Sequence, residues 1–258
     1  MKESNESRKP SERDKIKGVF STQSLAVVGT GSTKRKTIQK TYWFVQEIDA
    51  THIEVQPLNV NYVPSGPKKV ISKEDFLQKF SPEPEFYTYT VFPKMRELNT
   101  TIARGERHRS RGETFSAEME FGNALKVDEE NIRANFGLGL TYLERGETTK
   151  ANDIFQRLVN LDAAFEQQHK HLFNDFGINL RKNKMYTQAV EYYSRALKLT
   201  DDDENLHYNI ARAFFERGKM EKAVHHLKKA LELNPDLSEA KQFLEYMKTN
   251  GLSLRQRS

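Results

Sequence analysis

"GKMEKAVHHLKKALELNPDL", residues 218–237, decides how this chain is read. Ala223, Leu227 and Ala230 stand at i, i+4 and i+7, which is one stripe of an α-helix. Pro235 then closes the stretch, because it has no N–H with which to continue a helix. The same frame recurs upstream in "NKMYTQAVEYYSRALKLTDDD", "GETTKANDIFQRLVNLDAAF" and "GETFSAEMEFGNALKVDEEN". Ala117, Ala151, Ala189 and Ala223 align at spacings of 34, 38 and 34. Phe121, Phe155, Tyr193 and Leu227 follow them, and then Ala124, Leu158, Ala196 and Ala230.

A second helix signature precedes each of these. "NFGLGLTYLERG" and "HYNIARAFFERG" carry an apolar–small pair (Leu138-Gly139, Ile210-Ala211), an aromatic (Tyr142, Phe214) and a turn glycine (Gly146, Gly218). Lys184 stands where two other units have the glycine, and Leu158 replaces a small residue. Small residues such as Gly139, Gly177, Ala211 and Ala223 let helix backbones approach; Ala223→Leu overpacks at a cost of about 1–3 kcal/mol.

The pattern resembles the tetratricopeptide repeat, a helix–turn–helix unit. The resemblance implies a mainly α fold: a solenoid of four repeats at 98–131, 132–165, 170–203 and 204–237, with Glu166–His169 inserted between the second and third. A capping helix is expected over 238–250, burying Phe243, Leu244 and Met247 while Glu239, Lys241 and Lys248 stay wet. Residues 251–258 read as a disordered tail. The layout is similar to that of uncharacterised bacterial repeat proteins with a small N-terminal β module.

Before the repeats the character changes. Residues 1–17 are polar and charged and read as a disordered basic tail. Residues 18–80 read as a small β-rich module. "GVFSTQSLAVV", "KTYWFVQEI", "HIEVQPL" and "KKVI" are strands, Asp49–Thr51 turns between the second and third, and 72–80 is a short helix capped by Ser72 with Asp75. An SH3-like barrel and an open sheet both fit. Residues 81–97, rich in proline and aromatics, read as a packed connector.

Charge and composition limit function. The chain has 258 residues, a net charge of +5 and no cysteine, which excludes disulfides, thiol catalysis and cysteine-ligated metals. Residues 1–42 carry ten Lys and Arg against four Asp and Glu, whereas 98–237 carry 21 against 22. The repeats therefore offer no basic face for nucleic acid. No run of apolar residues is long enough to span a membrane, and no secretory leader is visible. A cytoplasmic location is expected.

"LAVVGTGSTKRKT", 25–37, imitates a phosphate loop, but Thr33 and Lys34 occupy the places of glycines that the two phosphate-binding fingerprints require. A strand follows rather than a helix, so it reads as a turn. On the first repeat Arg104, Arg107, His108 and Arg111 share one helical face, where the other units carry core residues. That helix is expected to pack unlike its siblings, its arginines bridging to carboxylates or meeting an anion or acidic peptide.

By the resemblance, first helices line a concave groove that takes a peptide or helix of another protein. The lining is then Arg133, Phe136, Leu140, Asn174, Ile178, Arg181, Tyr208, Arg212 and Phe215. The lysine and asparagine clamp of the subgroup that binds chaperone tails is absent: Phe136, Asn174 and Tyr208 stand at its lysine place. His225 and His226 point to different helix faces, His169 and His171 flank a repeat start, and no carboxylate cluster joins them, so no metal site is expected. Asp203 and Glu204, with Asp201 and Asp202, read as the cap of the next helix. No catalytic grouping and no cofactor is implied. The reading is a non-catalytic adaptor; the rival is a sensor whose N-terminal module and Arg104–Arg111 face bind an anionic small molecule or nucleotide.

Overall fold

The computed structural model describes residues 15–28, 35–199 and 203–254. They form two units: one of residues up to Thr101 with Lys126–Glu130, the other of Ile102–Leu125 with the chain from Asn131.

In the first unit, strands β1 (Lys17–Val28), β2 (Arg35–Glu47), β3 (His52–Pro57), β4 (Lys69–Ser72) and β5 (Ser81–Pro82) form one sheet in the order β4-β3-β2-β1-β5. Every pairing is antiparallel, and β4 and β5 are its two edges, so the module is an open sheet rather than a closed barrel. Period-two alternation sends Val45, Ile53 and Val55 to one face, where helix α1 (Lys73–Lys79) lays Phe76 on them. Phe20 meets Phe76 edge-on at 4.8 Å, and Trp43 meets Phe80 at 6.1 Å. The Ser72 side chain caps α1 by accepting from Asp75 N. Glu47, nearly buried, accepts from Ile16 N and Lys73 Nζ, and these bonds hold its carboxyl below the usual range. Gly29–Lys34, the heart of the imitation phosphate loop, lies outside the described residues; the element after it is strand β2.

The expected connector is helical instead. Helix α2 (Pro84–Phe86) begins at Pro84, widens to a π-helical stretch over Tyr87–Val91 and runs into α3 (Phe92–Ser110). Proline at the first helical position loses no bond, so Pro84 marks a start rather than a break. The widened turns stand directly ahead of Pro93, which has no N–H to donate into them. Phe86 packs on Tyr42 and Tyr62, and Tyr87 on Phe44, while Tyr89 and Phe92 are exposed. The last carbonyl of α4 (Thr114–Val127), at Val127, accepts from the Asn59 and Asn61 side chains at 2.8 and 2.9 Å. Ser65 Oγ donates to Asp128 at 2.6 Å.

The second unit is built of helix pairs. The part of α3 from Ile102 packs with α4; α5 (Ile132–Glu144) and α6 (Thr148–Val159) follow, then α7 (Lys170–Lys182) and α8 (Tyr186–Leu199), then α9 (Glu204–Glu216) and α10 (Met220–Leu233). Each pair turns the same way. The first helix ends with two backbone bonds that wrap its last carbonyls, for example Gly146 N to Leu143 O and Glu147 N to Tyr142 O. The residue between must be left-handed, and Gly112, Gly146 and Gly218 have φ of 75°, 71° and 71°. Lys184, at the same place, takes φ 61° without being glycine.

Large rings of second helices wedge against small residues of first helices. A Cβ on Gly137 would meet the Phe121 ring at 2.3 Å, and one on Gly177 would meet Tyr193 at 2.4 Å. The end of the second unit, Asp162–Phe165, and the inserted stretch, at Gln167–His169, each form a 3-10 turn. Phe165 inserts there against Phe173 and Tyr192. Asp203 caps α9, accepting from Asn205 N and Leu206 N; Asp201 and Asp202 lie outside the described residues. Helix α11 (Ser238–Leu254) closes the unit with Ala240 and Met247 buried. It continues four residues past the expected end at 250, and 255–258 lie outside the described residues.

Candidate functional site

The arginine face of the first pair resolves into ion pairs. Arg104 grips Glu120 of α4 with Nε at 3.0 Å and Nη2 at 2.9 Å. Arg104 is 46% exposed and Glu120 11%, so a carboxylate brought out of water is held by a planar fork. The same two places hold Leu138 and Ile154 in the second pair, Phe176 and Tyr192 in the third, and Ile210 and His226 in the fourth. Beside it on the helix, Ile102 and Gly105 are buried, and a Cβ on Gly105 would meet Phe121 at 2.8 Å. The expectation that this helix packs unlike its siblings is therefore corrected: its core stripe is present, and one apolar pair is replaced by a salt bridge. His108 Nδ1 pairs with Glu113, while Arg107 and Arg111 are exposed. An anion recruited to Arg104 or His108 would have to displace Glu120 or Glu113.

The expected groove residues divide. Phe136 and Leu140 are 0% exposed and belong to the core, Phe136 meeting Phe176 edge-on at 5.8 Å. Helix α5 is buried from Ala134 through Thr141, and a helix covered all round has no lining face to offer. Arg133 is half-buried and bonds both oxygens of Glu106. The remaining six, on α7 and α9, are partly exposed. Arg181 reaches Glu216 at 3.5 Å. Tyr208 and Phe215 both pack on Phe243 of α11, at 6.2 and 5.2 Å, and Arg212 lies over the Tyr208 ring at 5.8 Å. Burial pushes the Tyr193 hydroxyl well up, and the guanidiniums of Arg181 and Arg212 pull it back. Both cations are thus near the end of a side chain that threads past Gly177 from α8.

Several polar contacts escaped sequence reading. Arg109 bonds Glu144 at 2.6 Å and stands 4.0 Å from Asp175; with Arg181–Glu216 it repeats one theme, an arginine at the end of one first helix meeting a glutamate at the end of a later one. Alignment of the first helices carries that signal. Arg145 sits over Phe115 at 4.5 Å and bonds Glu118 and Glu147. Burial and Glu118 together push the neighbouring Tyr142 up to about 12. His207 and His226, on α9 and α10, place their Nδ1 atoms 3.0 Å apart. Burial, then His207, depresses His226 to about 4. Among the described residues no group of three or more His, Asp or Glu could hold a metal, and no helix is long and apolar enough to cross a membrane.

Comparison with known proteins agrees with this geometry. Residues 133–163 and 205–237 each match the family described as "Tetratricopeptide repeat". The chain is 25% identical over 133 residues to anaphase-promoting complex subunit 3 of Schizosaccharomyces pombe, covering 52% of this chain and 19% of that protein. It is 32% identical over 84 residues to the mitochondrial import receptor subunit TOM70 of Saccharomyces cerevisiae, covering 33% of this chain and 14% of the relative. The chain thus spans less than a quarter of the length of either relative. Among solved structures, MamA from Desulfovibrio magneticus RS-1 superposes with a TM-score of 0.46 at 18% identity, covering 60% of this chain and 85% of that one. Matched repeats, paired helices and a shared turn geometry make residues 133–163 and 205–237 tetratricopeptide repeats.

Proposed function

We propose that the protein is a non-catalytic, cytoplasmic adaptor that holds a peptide or helical segment of another protein along the first-helix face of α7 and α9. The observation that carries this reading is the surviving set there: Asn174, Ile178, Arg181, Tyr208, Arg212 and Phe215 remain partly exposed after Phe136 and Leu140 are lost to the core. Aromatic and arginine groups concentrate binding energy at protein interfaces, and an amide and an aliphatic side chain beside them suit a polypeptide better than a small anion. The sensor reading has less behind it, because Arg104 and His108 are already paired with carboxylates.

The test uses Asn174→Glu with Arg212→Glu, changes at polar, partly exposed positions that leave the core alone. The melting midpoint is expected to hold while proteins that co-purify from the native source are lost. An unchanged set of co-purifying proteins would remove this face from consideration.

A further inference from the structure

Strands β1 and β2 outrun the sheet they belong to. They pair with each other from Lys17↔Gln46 to Val28↔Arg35. β3 accompanies β2 only from Trp43 to Glu47, and β5 accompanies β1 only at Phe20 and Ser21. Beyond Thr41 the described residues form a two-stranded ribbon, and nothing described pairs with the outer edge of β2 over Arg35–Thr41. A strand edge of this length presents unpaired N–H and C=O groups and is a template for another strand.

The side chains state what kind of strand. Arg35 to Lys40 are all exposed. Alternation places Lys36, Ile38 and Lys40 on one face of β2. Ile38 lies directly across from Leu25, and the two are 65% and 76% exposed, an apolar cross-strand pair standing in water. No Asp or Glu occurs from Lys15 through Gln46. Lys40 is paired with Glu83, and among the described residues Arg35 and Lys36 meet no carboxylate. A second copy of this chain is a poor occupant. Antiparallel pairing centred on Ile38 sets Lys36 against Lys40, and like charges directly opposite are destabilising.

We propose that the outer edge of β2, Arg35–Thr41, is a strand-addition site for an extended acidic segment of a partner protein. Main-chain bonds to the open edge supply affinity, and alternating side chains supply selectivity: an acid facing Lys36, an apolar residue facing Ile38. The site is independent of the α7 and α9 face, so either can fail without the other.

The experiment uses the full chain and a synthetic peptide of alternating Glu and Val, with a scrambled peptide and a Lys–Val peptide beside it. Trp43, the single tryptophan, donates from Nε1 to Thr22 at the root of the ribbon and reports binding by its emission. Saturable binding is expected, with amides of Arg35–Thr41 slowed in hydrogen exchange. Lys36→Glu weakens the Glu–Val peptide by about tenfold and strengthens the Lys–Val peptide. Equal binding of the scrambled peptide, no slowing of those amides, or no response to Lys36→Glu overturns the proposal. So does a ribbon that ignores both peptides and instead binds phosphatidylserine vesicles or duplex DNA.

Discussion

The first and third helix pairs share one frame and fill it with opposite chemistry. In the third, Phe176 of α7 and Tyr192 of α8 meet at 5.4 Å inside a cluster that also holds Phe155, Phe165 and Phe173. In the first, the same two places hold Arg104 and Glu120, partly open to water and joined by two hydrogen bonds. The frame tolerates both because it is set elsewhere. The ring of Phe121 wedges at Gly105 as that of Tyr193 does at Gly177, and both pairs turn through a left-handed residue. The lesson is that backbone approach and turn geometry define the unit, while the adjacent pair of positions is open to either an apolar contact or a satisfied ion pair.

The comparison breaks most visibly on its apolar side. Phe176→Ala removes a fully buried ring from the middle of the aromatic cluster and is expected to lower stability by about 3–5 kcal/mol in chemical denaturation. Arg104→Ala, at the matching place, takes the fork from the nearly buried Glu120 carboxylate and should cost about 1–3 kcal/mol, less than the ring. Equal losses at the two places would mean that the salt bridge carries the first pair as the rings carry the third.

The fourth pair supplies the next test, because His226 occupies the place of Tyr192. His226 is depressed from 6.5 to about 4. The folded chain then binds fewer protons there than the unfolded chain, so stability is full above pH 6.5, falls as pH drops through the window to about 4, and levels off below it. His207, His225, Lys222 and Glu221 all stand near the ring, and the cations among them work against protonation. Allowing for a half-exposed ring, the loss is about 1–2 kcal/mol. The melting midpoint of wild type should fall more between pH 6.5 and 4 than that of His226→Leu; parallel curves would place the sensitivity elsewhere.

Tyr192 also carries a flaw that its counterparts lack. Its hydroxyl is buried and has no hydrogen-bond partner among the described residues, and burial drives its ionisation far up. A buried polar group without a partner costs about 1 kcal/mol or more. Tyr192→Phe is expected to raise the denaturation midpoint by about that amount. A loss instead would show that the hydroxyl is satisfied in solution.

How much of this the sequence carries depends on whether a property is periodic. Helix pairs, strands and the Ser72 cap follow from spacing and local chemistry, and each is found within a few residues of its expected place. Lys184 reads as a departure from the turn glycine, yet the turn forms, because Met185 N and Lys184 N still reach Leu180 O and Arg181 O. Phe136 and Leu140 mislead for a different reason. Periodicity tells which residues share a face of α5, and it is silent on whether the opposite face is also covered. The helical start at Pro84 was legible in principle, since proline favours that position, but the prolines and aromatics around it read equally well as a connector. Arg104 shows the remaining limit: a charged residue on a core stripe signals a conflict, and only space shows that Glu120 resolves it.

The smallest expected effect asks whether that resolution is interchangeable with packing. Arg104→Leu with Glu120→Ile writes the second pair's residues, Leu138 and Ile154, into the first. Replacing a partly buried ion pair by apolar residues removes both a desolvation cost and its compensating attraction, so the net change is small, within about 1 kcal/mol of wild type. Glu120→Ile alone should do worse than the double change, since Arg104 then faces an apolar neighbour with its fork unfilled. The coupling between the two positions in a double-mutant cycle measures the pair directly. A double variant that unfolds would mean the first pair needs its salt bridge for a reason the later pairs do not share.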